Sequence, residues 1–341
     1  MTTVYCGATI VPERYCKLRI LIVTAMYPTK EQPSYGTFVE EQVESLRSAG
    51  IEVDVFCING SDGIRGYWVA IQEMRDMMRA KPYDIVHAHY GLSGAIARMQ
   101  NYSPVVITFH GSDLLGEVGE KYQYTLIGVI KMISSWLAGL VAAKCIVVAD
   151  LLKPKLWPQS AVTIPMGVDL SLFRPMNAQY AREKLGLTHD KQRVLFVANP
   201  SNPIKRFDIV QTAVDLLREI KPDIELLPVY NIPHELVPLY MNACDVLVLT
   251  SMHEASPCVI KEALACNLPI VSVDVGDVAK RIDEVSGCYL CERTPEDIST
   301  KLNQALNGGR STNGRDKVRH LSLQNIAQEV LTVYQDLVNL A

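Results

Sequence analysis

Asp245-Val-Leu-Val-Leu249 runs directly into Thr250-Ser-Met-His-Glu-Ala-Ser-Pro-Cys-Val-Ile-Lys-Glu262, and this stretch decides the fold. Its first residues form a short apolar run of the kind buried on both faces of a parallel sheet. A polar loop follows. Ser256 is a good N-cap, and Pro257 suits the first helical position, where the N–H it lacks would be unbonded anyway. The stretch therefore predicts a strand ending at Leu249 and a helix beginning near Pro257. Strand, loop and helix in that order are the repeating step of an α/β fold.

The same step recurs along the chain. Leu18–Thr24 reads as a strand, followed by a loop and a helix whose Val39, Val43 and Leu46 fall at i, i+4 and i+7. Gly50 closes that helix, and Ile51, Val53, Val55 and Cys57 alternate as a second strand. Asp84–His87, Val105–Thr108 and Cys145–Val148 continue the series. After the Pro- and Gly-rich segment Ile164–Pro175 the pattern starts afresh with Arg193–Val197 and a helix from about Phe207 to Ile220. Glu225–Val229, Asp245–Leu249 and Pro269–Val273 are its next strands. A final helix carries Ile326, Val330, Leu331, Tyr334, Leu337 and Val338 on one stripe, so it must dock on something. The expected organisation is an extension over 1–17, a doubly wound Rossmann-like domain over 18–172 and a second over 173–318. The helix in 319–341 is expected to dock back on the N-terminal domain. Two such domains are expected to face a cleft, with ligands at the carboxyl ends of the strands.

Composition narrows the function. The 341 residues are 48% hydrophobic and 21% charged, the profile of a soluble enzyme. A formal net charge of -4 gives no global field for nucleic acid. The most apolar stretch, Leu126–Ala149, is broken by Lys131, Ser134, Ser135 and Lys144, and it falls short of the ~20 apolar residues in one helix that a span needs. The helix read from Lys121 to Lys144 mixes Tyr122, Tyr124, Ile127, Ile130 and Trp136 with lysines. That mixture suits a membrane surface or a buried position, and burial is the stronger expectation. The first sixteen residues lack the pattern of a secretion signal. Nine scattered cysteines, with a lone Cys288/Cys291 pair in what reads as a short strand, imply free thiols in a reducing cytosol and no zinc site. A cytoplasmic protein is expected, with the inner face of the membrane as an alternative address.

The chemistry concentrates at the helix start. Free backbone amides and the positive dipole end there make a natural diphosphate site. Glu254 precedes the helix and Glu262 lies more than one turn inside it, so the carboxylates flank the anion site. A diphosphate carrying a hydroxyl-rich group at each end fits that layout, because carboxylates only accept hydrogen bonds. From spacing alone, two surface glutamates around an ordinary capped helix are the stronger explanation.

The run His253-Glu-Ala-Ser-Pro-Cys-Val-Ile-Lys-Glu-Ala-Leu-Ala265 resembles the E-x7-E motif of the family-four glycosyltransferases of the GT-B fold. Cys266–Ser272 with Val275-Gly-Asp277 continues the likeness, which extends from about Leu18 to Tyr334. The resemblance implies that Glu254 contacts the donor sugar and Glu262 the ribose hydroxyls. It places Ala255, Ser256, Pro257, Cys258 and Val259 around the phosphates. The family's usual glycine is Ala255 here, which leaves sugar specificity open.

Other segments are similar to the same family. Asn199–Asp208 resembles its Arg-to-Lys loop, with Lys205 as the lysine, Asn199 in place of the arginine and Arg206 as a second cation. Gly36, at a helix start after the first strand, lets backbone approach a ligand, although relatives often have two glycines there. Thr108-Phe-His110 resembles an element whose histidine contacts the donor sugar, and Asp113 follows on the acceptor side. His87 and His89 alternate along a strand end, so only one is expected at the cleft; His89 is assigned to the acceptor. The start of the chain is more loosely similar to bacterial enzymes that assemble cell-surface polysaccharides.

The family resemblance implies a retaining transfer from a nucleotide-diphosphate sugar to a glycan or lipid-linked acceptor, with Lys205, Arg206 and helix amides stabilising the leaving diphosphate. No metal and no cofactor are expected. Two rivals stand beside it. A nucleotide-sugar epimerase of similar architecture would use the same cradle, but Thr108–His110 and the Ile164–Pro175 hinge match transferases. A non-catalytic sugar-nucleotide-binding protein would account for Asn199 and Ala255.

Overall fold

The computed structural model describes residues 3–6, 9–12, 18–59, 63–116, 123–310 and 312–340. Two compact units result: one gathers Met1–Thr29, Tyr35–Gly167 and Leu323–Ala341, the other Lys30–Ser34 and Val168–Ser322. Within the expected extension, β1 (Thr3–Cys6) and β2 (Thr9–Pro12) pair antiparallel. The rest of 1–17, and the expected helix start at Lys121 and Tyr122, lie outside the described residues.

In chain order the first unit contains β3 (Arg19–Thr24), α1 (Thr37–Ser48), β4 (Glu52–Cys57), α2 (Gly63–Ala80), β5 (Ile85–His89) and α3 (Gly91–Ala97). It continues with β6 (Val105–Phe109), α4 (Ser112–Leu115), α5 (Leu126–Val141), β7 (Lys144–Val147) and β8 (Ala161–Thr163). Its sheet is parallel throughout, in the order β4-β3-β5-β6-β7-β8. Every residue of β5 and β6 is buried, and both strands are apolar apart from His87 and His89 on β5 and Thr108 on β6.

The second unit contains α6 (Ala178–Leu185), β9 (Gln192–Val197), α7 (Phe207–Arg218), β10 (Ile224–Val229), α8 (Val237–Ala243) and β11 (Val246–Leu249). Then come α9 (Cys258–Ala265), β12 (Ile270–Val273), α10 (Val278–Ile282), β13 (Tyr289–Cys291), α11 (Pro295–Gly308) and α12 (Gly314–Val318). Its sheet, also parallel, runs β10-β9-β11-β12-β13. Both orders reverse beside the first strand, between β3 and β5 and between β9 and β11. Such a switch point sends the crossovers of the two flanking strands to opposite faces of the sheet, and ligands of doubly wound folds bind at the strand ends there.

The last helix, α13 (Leu323–Leu340), belongs to the first unit and packs on α1. Tyr334 is fully buried, and its hydroxyl lies 2.6 Å from His87 Nδ1 on β5. The chain crosses between units at Gly167–Val168 and Ser322–Leu323, beside a parallel bridge from Val168 to Ser322. Arg315 holds the following residues to the second unit, donating to the carbonyls of Phe173 at 2.6 Å and Leu170 at 2.7 Å.

Arg193 shows how a charge is tolerated at the start of a buried strand. Only 1% exposed, it faces Glu225 across the β9–β10 register, pairs with it at 2.9 Å and donates to the Thr188 carbonyl at 2.7 Å. Removing one partner of such a pair strands the other. Arg193→Met should therefore lower stability to urea by about 2–4 kcal/mol, and adding Glu225→Leu should recover part of that loss.

Candidate active site

At the β9/β11 switch point the loops after the two strands are stitched together. Thr250 Oγ1 donates to the carbonyls of Lys205 at 2.9 Å and Arg206 at 3.3 Å, and Met252 N donates to Ile204 O at 2.8 Å. Arg206 is held there at φ 54°, a left-handed conformation uncommon outside glycine. These bonds bring Lys205 Nζ to 2.5 Å from Glu254 Oε1. The side chain of Arg206 instead makes a fork with Asp208, Nε and Nη2 reaching its oxygens at 3.0 and 2.9 Å. That guanidinium holds the Asp208 carboxyl below its ordinary range. Asn199 accepts from Ser201 N at 2.9 Å and shapes the loop locally.

The helix start differs in one detail from expectation. Pro257 is the N-cap residue and α9 begins at Cys258, with no side-chain cap. The hydroxyl of Ser256, expected to cap it, donates at 2.9 Å to Asp277, which also accepts from Arg281 at 2.8 Å. A charged acceptor makes the stronger hydrogen bond, so Ser256 turns away from the amides. Ala255 is buried, and its carbonyl accepts from Asp277 N at 3.0 Å. It lies so close over Gly276, at φ 63°, that a Cβ there would come within 2.5 Å of it. Cys258 and Val259 are half-buried on the first turn. Glu262 sits 3.4 Å from His234 Nε2, and the His234 ring packs on Phe173 at 5.3 Å. Sequence reasoning missed His234, which lies in a short 3-10 turn with only Pro233 to mark it.

In the first unit, Gly36 caps α1 at φ 77°; any Cβ there would stand 2.5 Å from the Met26 carbonyl. The histidines form a stack. His89 Nδ1 lies 2.9 Å from His110 Nε2, and the His110 ring is also packed by Tyr90 at 4.6 Å and Phe38 at 5.0 Å. His110 is half-buried, whereas His89, expected to touch acceptor, lies behind it with no exposed surface. The expectation that only one of His87 and His89 faces the strand end is corrected. Residues i and i+2 share a face of a strand, and the two rings stack at 4.8 Å. Asp113 is buried, and its carboxylate accepts from the amides of Gly111 at 2.9 Å, His110 at 3.2 Å and Gly91 at 3.3 Å. It lines a cavity of about 300 Å³ together with Met26, Tyr35, Tyr90, Lys131 and Ser135.

Among the described residues no three His, Cys, Asp or Glu side chains cluster as metal ligands. Burial pushes the Cys288 thiol up to about 11 and that of Cys291 up to about 12, where neither is a ready thiolate.

Comparison with known families now bears on this arrangement. The profile described as "Glycosyl transferases group 1" matches residues 191–308, and "Glycosyl transferase 4-like" matches 33–136. The chain belongs to the group 1, family-four glycosyltransferases. Bacillus subtilis TuaC, a glycosyltransferase assigned to teichuronic acid biosynthesis, is 24% identical over 328 residues, covering 77% of this chain and 82% of TuaC. Sucrose-phosphate synthase from Thermosynechococcus elongatus superposes with a TM-score of 0.78 at 19% identity, over 95% of this chain and all of that one (100%). HepE from Anabaena, solved with UDP and glucose, gives 0.68 at 15% identity, over 94% and 100% of the two chains. The fold of this glycosyltransferase is thus GT-B, with sheets of six and five strands.

The buried groups of the first unit make the enzyme sensitive to acid. Burial lowers His89 to about 3 and His87 well below its ordinary value, so the folded state binds fewer protons than the unfolded chain below about pH 6.5. That stability is lost as pH falls through 6.5. Asp113 acts in the opposite sense: burial raises it to about 6, so the fold gains from its protonation between about pH 6 and 4. Two histidines outweigh one carboxyl. Thermal unfolding should show a midpoint that falls from pH 7 to pH 5, with a shallower slope in His89→Gln.

Proposed function

We propose that this glycosyltransferase takes a sugar from a nucleotide-diphosphate donor and transfers it to an acceptor hydroxyl with retention of anomeric configuration. The observation that carries the reading is the Lys205–Glu254 pair, 2.5 Å apart at a switch point and beside a helix start that no side chain caps. A diphosphate seated there meets Lys205, Arg206 and the backbone N–H groups of Ala255, Ser256, Cys258 and Val259, with Pro257, which has no N–H, beside them. Once Lys205 turns to phosphate, Glu254 is free to accept from sugar hydroxyls. Glu262, steadied by His234 at 3.4 Å, accepts from the ribose. On the first unit, His110 is assigned to hydroxyls of the transferring sugar, Gly36 to a close backbone approach, and the surroundings of Asp113 and His89 to the acceptor. HepE, solved with UDP and glucose, supports a sugar-nucleotide donor, and likeness to TuaC supports assembly of a polysaccharide.

In the proposed reaction the bond from anomeric carbon to phosphate oxygen breaks through an oxocarbenium-like state. The departing phosphate oxygen takes the proton of the acceptor hydroxyl, whose oxygen bonds to the same face of the sugar. The cations and amides stabilise charge as it builds on the leaving diphosphate, an effect often the largest in catalysis. This chemistry calls for no metal and no cofactor.

The first test is a binding screen of UDP-, GDP- and ADP-sugars; no binding by any of them would overturn the reading. With donor and acceptor in hand, Lys205→Ala and Glu254→Gln should each lower turnover ~100-fold. Glu262→Ala should mainly weaken nucleotide binding, by ~10-fold. The product anomer, read by NMR, decides retention. Loss of activity in EDTA with recovery on adding magnesium would refute the metal-free part, and donor binding without transfer would leave only a sugar-nucleotide-binding protein.

A further inference from the structure

Helix α5 is built inside out. In a surface helix of a soluble protein the large apolar side chains face the core. Here the buried positions are Gly128, Ser135, Ala138 and Gly139. Leu126, Ile127, Ile130, Ile133, Leu137 and Val141 point outward, each more than half exposed. The expectation of burial for this helix is thereby overturned for its apolar face. The reason lies in the small residues. Ser135 fits against Gly91 at the start of α3, and Gly139 against Leu156, so the helix beds closely on its small side and leaves the large side uncovered.

The exposed residues are ordered. At about 100° per residue, Leu126, Ile130, Ile133, Leu137 and Val141 fall within an arc of about 80°. Trp157, 77% exposed, stands beside this stripe, since its carbonyl accepts from Trp136 Nε1 at 3.0 Å. Charge is equally one-sided. From Leu126 to Thr163 the chain carries four lysines against one acid, Asp150, in a protein whose net charge is -4; Lys131 faces the Asp113 cavity, and Lys144, Lys153 and Lys155 lie outside it. Asp150 pairs with Lys153 at 2.9 Å, and Lys155 is exposed nearby. No helix of the described residues is long and apolar enough to cross a membrane.

An ordered aliphatic stripe, an exposed tryptophan and local positive charge match a surface of acyl chains beneath anionic headgroups. Tryptophan favours that boundary because its ring is apolar and its N–H polar. We propose that the outer face of α5, with Trp157 and the lysines beside it, docks this enzyme peripherally on an anionic lipid bilayer. The proposal is independent of the donor, so its failure and that of the transferase reading are separately visible.

The test is flotation of the full-length protein with vesicles of phosphatidylcholine alone or with about one third phosphatidylglycerol. Binding to the anionic vesicles, weakened by salt, is expected. Ile130→Glu with Leu137→Glu should reduce it at least ~10-fold, while circular dichroism and nucleotide-sugar binding stay unchanged because both side chains are exposed. Lys153→Gln with Lys155→Gln should weaken binding to anionic vesicles only. The idea is overturned by absence of flotation at low salt, or by flotation that survives the Ile130/Leu137 double variant. It is equally overturned if the protein ignores vesicles but self-associates in sedimentation velocity, with the same variant restoring monomers; a second copy would then cover the face.

Discussion

Parallel pairing is the constraint from which the rest follows. A parallel strand can be followed by its neighbour only through a crossover, so every strand in a sheet ends at the same edge. In both units the second strand pairs on one side of the first and the third strand on the other, so the crossovers that leave the first and third strands go to opposite faces of the sheet. The loops after β3 and β5, and those after β9 and β11, are thereby left without a helix between them. Side chains at these gaps are set by backbone rather than by their own packing. Thr250 clasps the two carbonyls before α7, and Asp113 gathers amides from two loops. The glutamate, lysine and histidine positions are consequences of that scaffolding.

Polar groups at these gaps are satisfied largely by one another. Along β5 and β6, His87 bonds to the hydroxyls of Tyr334 and Thr108, His89 bonds to His110, and the stacked rings of His87 and His89 join the two groups. One atom among them, His89 Nε2, has no partner. Burying such groups costs free energy unless they bond, so their geometry is tightly determined by their neighbours. At the other gap, Ser256, Asp277 and Arg281 form a smaller chain that fixes the loop before α9 from behind. That leaves the amides at the helix start to be occupied from the front.

The alternation of strands and helices was legible because buried parallel strands are predominantly apolar, as Val246–Leu249 is, and are bounded by polar loops. Shorter or flatter signals were not. β8 has three residues at a sheet edge, none of them buried, so its pattern carries little. Ser256 was read as a cap because a sequence cannot show that Asp277 competes for its hydroxyl. The pairing of His87 with His89 was misjudged, although strand periodicity alone places both on one face. His234 escaped because its importance arises from proximity to Glu262, contributed by a distant turn. For α5, mean apolarity suggested burial, whereas the decisive information was which side carried the glycines. Glu254, Glu262, Lys205 and His110 become candidates through family likeness; spacing alone favours ordinary surface glutamates.

The bond between His87 and Tyr334 joins residues 247 positions apart. Unit one is thus discontinuous, begun by the early strands and completed by the last helix, with Val168–Ser322 inserted between them. During translation at about 5–20 residues per second, synthesis of Val168–Ser322 separates the early strands of unit one from α13 by roughly 10–30 s. The second unit is therefore the first that can finish folding. Until the tail arrives, the histidines of β5 lack their aromatic cover, and the nascent sheet is the part of this protein most exposed to chaperones and proteases.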